Sequence, residues 1–318
     1  MITPEIVLVT AAQMPKPDLD TGLLVEEVGR IGVRAAIVSW DDAIRWADIP
    51  LVVLRTPWDY SRRFDAFMEW ARQVDQETRL LNPFPLVRWN GHKSYLLELE
   101  DRGVPMVPTM LLRAHDPDAL ARLCEISASE LVVKPAIGAG ANGAMRARKD
   151  DPALARHLGE ILQSKDALAQ PFVRGVAEAG EVSLVYFDGR YSHAIRKRPA
   201  KGDFRVQDQH GGTLHPHEPT AREIAVGSAA LAAAPTRTAY ARVDLVEWEG
   251  NPVVMELEMI EPELFLRRSP EGLQRFAQVL KAALDETGKR RPETGKVEAL
   301  RAGGEGVTGR RTATDAAG

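Results

Sequence analysis

Asp244, Glu256 and Glu258 are the residues whose types and spacing most directly suggest chemistry. They lie in residues 241–265 (ARVDLVEWEGNPVVMELEMIEPELF), where two apolar runs with near-alternating patterning flank Glu249-Gly250-Asn251. That pattern predicts a β-hairpin, with Asp244 on the first arm and both glutamates on the second. Residues two apart on a strand point to the same face, so Glu256 and Glu258 emerge side by side. Three carboxylates on neighbouring strands repel one another, and a hard divalent cation would offset that cost. Mg²⁺ typically takes one or two carboxylates together with substrate phosphates. The other reading is the solvated face of an edge hairpin, and the upstream residues decide between the two.

Those upstream residues are cationic or small. Asn90 is placed to cap a helix that carries Lys93 in its first turn. A helix N-terminus already has positive partial charge, so a lysine there makes better sense beside an anion. Lys134 falls near the end of a strand over residues 130–135, and residues 136–145 form a loop of small residues containing Gly138, Gly140 and Gly143. Such a loop lets backbone N–H groups approach a phosphate closely, although a mobile hairpin turn reads the same way. It is not a Walker loop, because the lysine precedes the glycines and no Gly-Lys-Ser/Thr follows. Residues 167–173 read as a strand and linker containing Pro171. Residues 181–187 and 191–196 pair across Asp188-Gly189, a strong hairpin signal. The second arm runs into Arg196-Lys197-Arg198, then Gly202-Asp203-Phe204-Arg205-Val206-Gln207 and His210-Gly211-Gly212. Basic residues around glycines suit an anion clamp or, more blandly, an exposed basic loop. His215 and His217 lack a spaced partner cluster, so a zinc site is disfavoured.

Positioning these groups requires several elements. A strand at residues 5–10, a helix at 21–31, a strand at 33–40 and an apolar run at 51–54 open a doubly wound α/β layer. Directly after the third strand comes Arg55-Thr56-Pro57-Trp58-Asp59-Tyr60, where parallel sheets bind ligands. This loop could orient a small zwitterion, or it could be a turn that Trp58 plugs. Further helices are expected over residues 64–74, 117–126, 152–163, 220–233 and 271–284, and a strand over 106–112. The 318 residues suffice for two or three small cores. The net charge, 41 − 45 = −4, argues against a general nucleic-acid binder. Cys124 sits in an apolar helical pattern with Leu120, Leu123 and Ile126, which predicts a buried structural thiol. No stretch approaches the roughly 18 apolar residues that span a membrane. Residues 6–12 are too short for a signal peptide, so a reducing cytoplasm is the expected location. Residues 286–318 are rich in Gly, Thr, Arg and Glu and are expected to form a disordered tail.

The order of these parts resembles the ATP-grasp superfamily of carboxylate–amine ligases, over about residues 80–285. The resemblance rests on a helix lysine, a strand lysine before a small-residue loop, a Gln-Pro-Phe-Val linker, a basic clamp, then Arg-x-Asp and Glu-x-Glu. It implies an α/β ATP-grasp fold in which a small parallel domain (1–88) precedes two α+β subdomains (89–170 and 171–285) that clasp ATP. It also implies that Lys93 and Lys134 contact the α- and β-phosphates beneath a lid of Gly138, Gly140 and Gly143. Gln170, Phe172 and Val173 would read adenine, and Glu181 the ribose. Lys197 or Arg196 would touch the γ-phosphate, Arg205 would be the clamp arginine, and Arg242 would stabilise the transferring phosphoryl group. Asp244, Glu256 and Glu258 would hold one or two Mg²⁺ ions, with Mn²⁺ as a substitute. Arg55, Asp59 and Arg267 are candidates for gripping the substrate's carboxylate or amine. The implied reaction activates a small-molecule carboxylate as an acyl phosphate for attack by an amine, with no nucleic-acid or membrane partner, in a homodimer or higher homo-oligomer.

Two positions depart from the pattern. Many members place Asn where Glu258 stands, and residues 260–265 lack the Ser/Thr-rich turn of peptide-forming ligases. Taken with Arg55–Tyr60 and Gly202–Gln207, this resembles the glutathione-synthetase-like branch that includes the cycloserine-biosynthesis cyclo-ligase. An intramolecular ring closure is therefore one alternative, and a nucleotide-binding protein that ligates nothing is another.

Overall fold

A computed structural model describes residues 3–14 and 16–290. The N-terminal layer is a parallel sheet of β1 (Ile6–Thr10), β2 (Ala35–Ser39), β3 (Leu51–Thr56) and β4 (Arg79–Leu81), ordered β2-β1-β3-β4. The near-continuous apolar runs of β1 and β3 suit strands covered on both faces. Val7, Val9, Val52 and Leu54 pack under α2 (Phe64–Glu77). The alternate residues Ile6, Leu8, Leu51 and Val53 pack under α1 (Thr21–Arg30) and the last helix, α9 (Pro270–Arg290). Helix α9 thus completes the N-terminal layer.

Two helices, α3 (Phe84–Asn90) and α4 (Tyr95–Asp101), lead into the second sheet. That sheet comprises β5 (Met110–Leu112), β6 (Glu130–Pro135), β7 (Met145–Arg148) and β8 (Ala167–Pro171), antiparallel in the order β5-β8-β6-β7. α5 (Ala119–Glu125) and α6 (Pro152–Leu162) cover one face through Leu123, Leu154 and Leu158. The short α7 (Arg174–Glu178) follows.

The third sheet contains β9 (Glu181–Phe187), β10 (Arg190–Arg198), β11 (Thr213–Pro216), β12 (Tyr240–Trp248) and β13 (Asn251–Glu258), antiparallel in the order β11-β10-β9-β12-β13. α8 (Ala221–Ala232) is started by a capping box between Thr220 and Glu223. It packs on the face formed by Val182, Leu184, Tyr186, Ala241 and Val243.

Several sequence expectations change here. Asn90 is the last residue of α3 rather than a cap, and its side chain donates to Leu257 O and accepts from Met259 N. Lys93 therefore lies in the turn before α4 and not on a helix. The expected strand over 106–112 shortens to β5; the chain before it lies along β13, with Val107 N donating to Val254 O and Val254 N to Pro105 O. The hairpin's outer strand is thereby partly covered. Cys124 is exposed, because α5 buries Ala119 and Leu123 and the next residue turns away by about 100°. Residues 286–290 are helical, and Arg79 holds that end of α9 through Ala283 O and Glu286. The rest of the expected tail, 291–318, lies outside the described residues. Among the described residues no helix is long and apolar enough to cross a membrane.

The first and third sheets are joined by buried polar groups. Asn82 donates to Tyr240 O at 3.0 Å and Met259 O at 2.7 Å, and accepts from Ala239 N at 2.7 Å. The Tyr240 hydroxyl lies within reach of the carbonyls of Leu54, Leu81 and Ile260. Asn82→Ala removes the side-chain partner of Met259 O and Ala239 N, while Tyr240 O keeps the Thr238 hydroxyl, and should destabilise the protein by about 1–3 kcal/mol. Urea denaturation of the two proteins checks this, and coincident curves would refute it.

Candidate active site

A cavity of about 490 Å³ lies between the second and third sheets and is closed at one side by the N-terminal layer. Its floor follows from strand alternation. On β9 and β12, Val182, Leu184, Val243 and Leu245 face the core under α8, so Glu181, Ser183, Arg242 and Asp244 lie on the other face, where Glu181, Arg242 and Asp244 line the cavity. Glu256 pairs with Asp244 across the hairpin, and Glu258 with Arg242. The opposite wall is β6, where Leu131 and Val133 enter the core and Val132 and Lys134 face inward.

The floor is an alternating array of charges. Lys197 stands between Glu181 and Asp244, 3.1 Å from the latter. The Arg242 guanidinium spans Asp244, with contacts of 2.9 and 3.0 Å, and also meets Glu258. Ser183 Oγ donates to Asp244 at 2.5 Å. Lys93 pairs with Glu256. Lys134 has no ion pair among the described residues.

Burial and these partners sort the carboxyls into two groups. Burial works against ionisation of Asp244, but Arg242 and Lys197 outweigh it and hold the acid well below the usual carboxylate range. Glu256 is likewise held low against burial by Lys93 and Lys134. Burial dominates at Glu181 and Glu258, and each is pushed up to about 7. It also lowers Lys134, in spite of Glu256 nearby. Glu256 and Glu258 keep 23% and 25% of their side-chain surface open to the cavity, so water there moderates the effect.

Oxygen ligand atoms of Asp244, Glu256 and Glu258 lie within 4.8 Å of one another. An all-carboxylate set of this size fits a hard divalent cation.

Two loop segments roof the cavity. The loop between β6 and β7 turns through Gly140 and Gly143, both at positive φ, and Gly138 lines the space. The segment after β10 contributes Phe204, Arg205, Val206 and Gln207; Asp203 fixes the Arg205 guanidinium at 2.8 and 3.1 Å. Gln209 reaches across to Gly140 O at 3.1 Å and joins the two segments. At the linker, Gln170, Phe172 and Val173 all line the cavity, and Arg146 stacks over the Phe172 ring.

Not every candidate comes to this place. Adjacent strand residues face opposite ways, so Lys197 enters the cavity and Arg196 points out to Ala179 O and His217. Asp59 accepts from the Trp40 indole at 2.8 Å and faces Arg63, outside the cavity. Arg267 is paired with Asp20 and Glu263. Arg55 is buried in β3, its ring neighbours being Tyr240 and Phe276, and its Nε and Nη1 have no hydrogen-bond partner among the described residues. Arg55 and Arg267 line a separate recess of about 10 Å³ with Asp18 and Thr56, room for about one water. The three expected substrate residues thus do not converge on the main cavity.

Other residues do. Trp58 and Tyr60, from the loop expected either to orient a small zwitterion or to close a turn, reach the cavity from the N-terminal layer. Lys16 from the same layer, and Glu261 and Glu263 from the turn after β13, also line it, and sequence reasoning gave these three no role. For the two glutamates the advance signal was the density of acids at 256, 258, 261 and 263 within an apolar segment.

Lysines on facing sheets, a glycine hairpin above them, a linker strand and a carboxylate hairpin define an ATP-grasp ligase. The family described as the prokaryotic glutathione synthetase ATP-grasp domain matches residues 104–237, and that of the D-cycloserine synthetase DcsG N-terminal domain matches residues 6–82. The cycloserine biosynthesis protein DcsG of Streptomyces lavendulae is 36% identical over 301 residues, covering 86% of this chain and 97% of that protein. The crystal structure of D-cycloserine synthetase DcsG superposes with a TM-score of 0.81 at 34% identity, over 88% of this chain and 99% of that one. A D-alanine–D-alanine ligase from Bacillus anthracis shares the fold, with a TM-score of 0.64 at 14% identity over 90% and 98% of the two chains. The chain belongs to the ATP-grasp carboxylate–amine ligases, in the branch that contains DcsG. Ligases of this class use ATP and Mg²⁺.

The raised Glu258 carboxyl has a consequence for stability. In the folded protein it keeps its proton up to about 7, whereas the ordinary value is 4.5. Between those values the folded state binds more protons than the unfolded chain, so this group costs stability as pH rises. Glu258→Gln removes that cost. In chelator-treated, nucleotide-free protein its stability relative to wild type should grow from about pH 5 to about pH 8. Urea midpoints across that range check the sign, and a constant difference would refute it.

Proposed function

We propose that this ligase closes a single small amino-acid-like substrate on itself, forming an amide between its carboxylate and a nitrogen nucleophile in the same molecule. The observation that carries this reading is the match to DcsG through both the N-terminal layer and the ATP-grasp core. The N-terminal layer supplies Lys16, Trp58 and Tyr60 to the end of the cavity beyond the metal-site carboxylates, where a substrate would lie.

In the reaction as proposed, a carboxylate oxygen attacks the γ-phosphorus of ATP and ADP leaves. The nitrogen then attacks the acyl carbon, phosphate departs with that oxygen, and the nitrogen loses a proton. Phosphoryl transfer asks little covalent work of the protein; positioning and charge neutralisation carry it. We assign Lys93 and Lys134 to the α- and β-phosphates and Gly138, Gly140 and Gly143 to the covering lid. Gln170, Phe172 and Val173 would seat adenine, and Glu181 the ribose. Lys197, Arg205 and Arg242 would face the transferring phosphoryl group. Arg196, which points away, takes no part. Asp244, Glu256 and Glu258 would hold one or two Mg²⁺ ions, or Mn²⁺, which would neutralise phosphate charge. The cations and carboxylates now paired with each other would separate, the former to phosphate oxygens and the latter to metal. An acyl phosphate hydrolyses readily, so the two roofing segments also serve to exclude water.

Two measurements test this. Lys134→Ala and Glu256→Ala should each abolish substrate-dependent ADP release, and substantial ligation by both variants would remove the site assignment. For the intramolecular reading, a carboxylate substrate that carries its own aminooxy nitrogen should drive ADP and phosphate release without any added amine. A strict requirement for a second substrate would instead establish the intermolecular reaction.

A further inference from the structure

Glu261 stands apart from every other acid at the cavity. Glu181 is paired with Lys197, Asp244 and Glu258 with Arg242, Glu256 with Lys93, and Glu263 with Lys16. Glu261 is 8% exposed, lines the cavity and has no ion pair among the described residues. The backbone around it is anchored at two carbonyls. Its carbonyl accepts from the Trp58 indole at 3.2 Å, and two residues on the Glu263 carbonyl accepts from Arg242. The charges that bear most on its carboxyl are Glu258, which opposes ionisation, and Lys93, which favours it, with Glu256 adding to the first. A carboxyl withdrawn from water without a counter-ion is costly, and a bound cation would remove that cost.

We propose that Glu261 is the subsite for the substrate's primary ammonium group, holding it between the carboxylate hairpin and the N-terminal layer. This rests on the reading of the substrate as amino-acid-like. An ammonium brings compact positive charge and three donors. Trp58 and Tyr60 line the same part of the cavity, and aromatic faces favour a cation. A further metal ion fits less well, because Glu261 falls outside the group of acids whose ligand atoms converge. The site would select α-amino acids over their 2-hydroxy counterparts.

The test uses the full-length protein with Mg²⁺ and either ATP or a non-hydrolysable analogue. D- and L-serine and alanine are compared with glycerate and lactate, by calorimetric binding and by ADP release with hydroxylamine as acceptor. Wild type should favour the amino acids. Glu261→Gln should weaken amino-acid binding by about tenfold or more, bring the two classes close together and leave nucleotide affinity unchanged. Glu261→Asp, which keeps the charge, should restore part of the preference and guards against a mere folding defect. Binding that depends on Glu261 without ADP release would sustain this inference and defeat the ligase reaction proposed above. Turnover with an unchanged preference in Glu261→Gln would do the reverse. A loss of Mg²⁺ or nucleotide affinity in place of amino-acid affinity would overturn the inference and make Glu261 a metal ligand.

Discussion

Lys197 stands between Glu181 and Asp244, and Arg242 between Asp244 and Glu258, on a sheet face that water barely reaches. Charges in such a place persist only as pairs, since an isolated one costs several kcal/mol. The array is self-compensating in the free protein. The same geometry suits exchange, because ammonium and guanidinium groups serve phosphate as well as carboxylate, and carboxylates serve a hard cation as well as a lysine. Two groups sit outside the compensation. Among the described residues, neither Lys134, on the wall beneath the glycine loop, nor Glu261, toward the N-terminal layer, makes an ion pair, although Glu256 and Lys93 respectively lie near enough to act on them. They are of opposite sign, as a site for a nucleotide at one end and a cationic substrate at the other would require.

Keeping this floor polar depends on where neighbouring elements stop. Along β9 and β12 the same face changes from Glu181, Ser183, Arg242 and Asp244 to Val185, Phe187 and Tyr240. The apolar part is capped by α9, with Phe276 stacked on Phe187 at 4.6 Å. Tyr240 and Asn82 then tie this sheet to the parallel layer through buried hydrogen bonds. The N-terminal layer is therefore fixed to the catalytic sheet, and its loop residues Trp58 and Tyr60 have defined places at the cavity.

The parts legible in advance were those with local signals. The hairpins at Asp188-Gly189 and Glu249-Gly250 carry turn chemistry and period-two patterning, and both strand pairs form. Asp244, Glu256 and Glu258 share a face for that reason. The weaker expectations were those that depended on what lies opposite a residue. Asn90 has the composition of a cap, yet its amide satisfies Leu257 and Met259 from β13 and its flank. Cys124 has apolar neighbours in sequence, yet α5 turns it outward. Arg55 and Asp59, at a strand end, and Arg267 had suitable chemistry for a substrate, but their surroundings direct them elsewhere.

By itself the sequence determined the order of the elements, the face on which three carboxylates emerge, and the family to which their combination with Lys93, Lys134 and the glycine loop points. Those features depend on strand and turn periodicity within a few residues, which the chain carries locally. Only the tertiary structure decided which of Arg196 and Lys197 turns inward, that α9 returns to cover the first sheet, and that among the described residues Glu261 makes no ion pair while its acidic neighbours do. Each of those depends on groups far apart in sequence competing for the same partners. A count of charges along the chain holds no record of which cation each acid will meet.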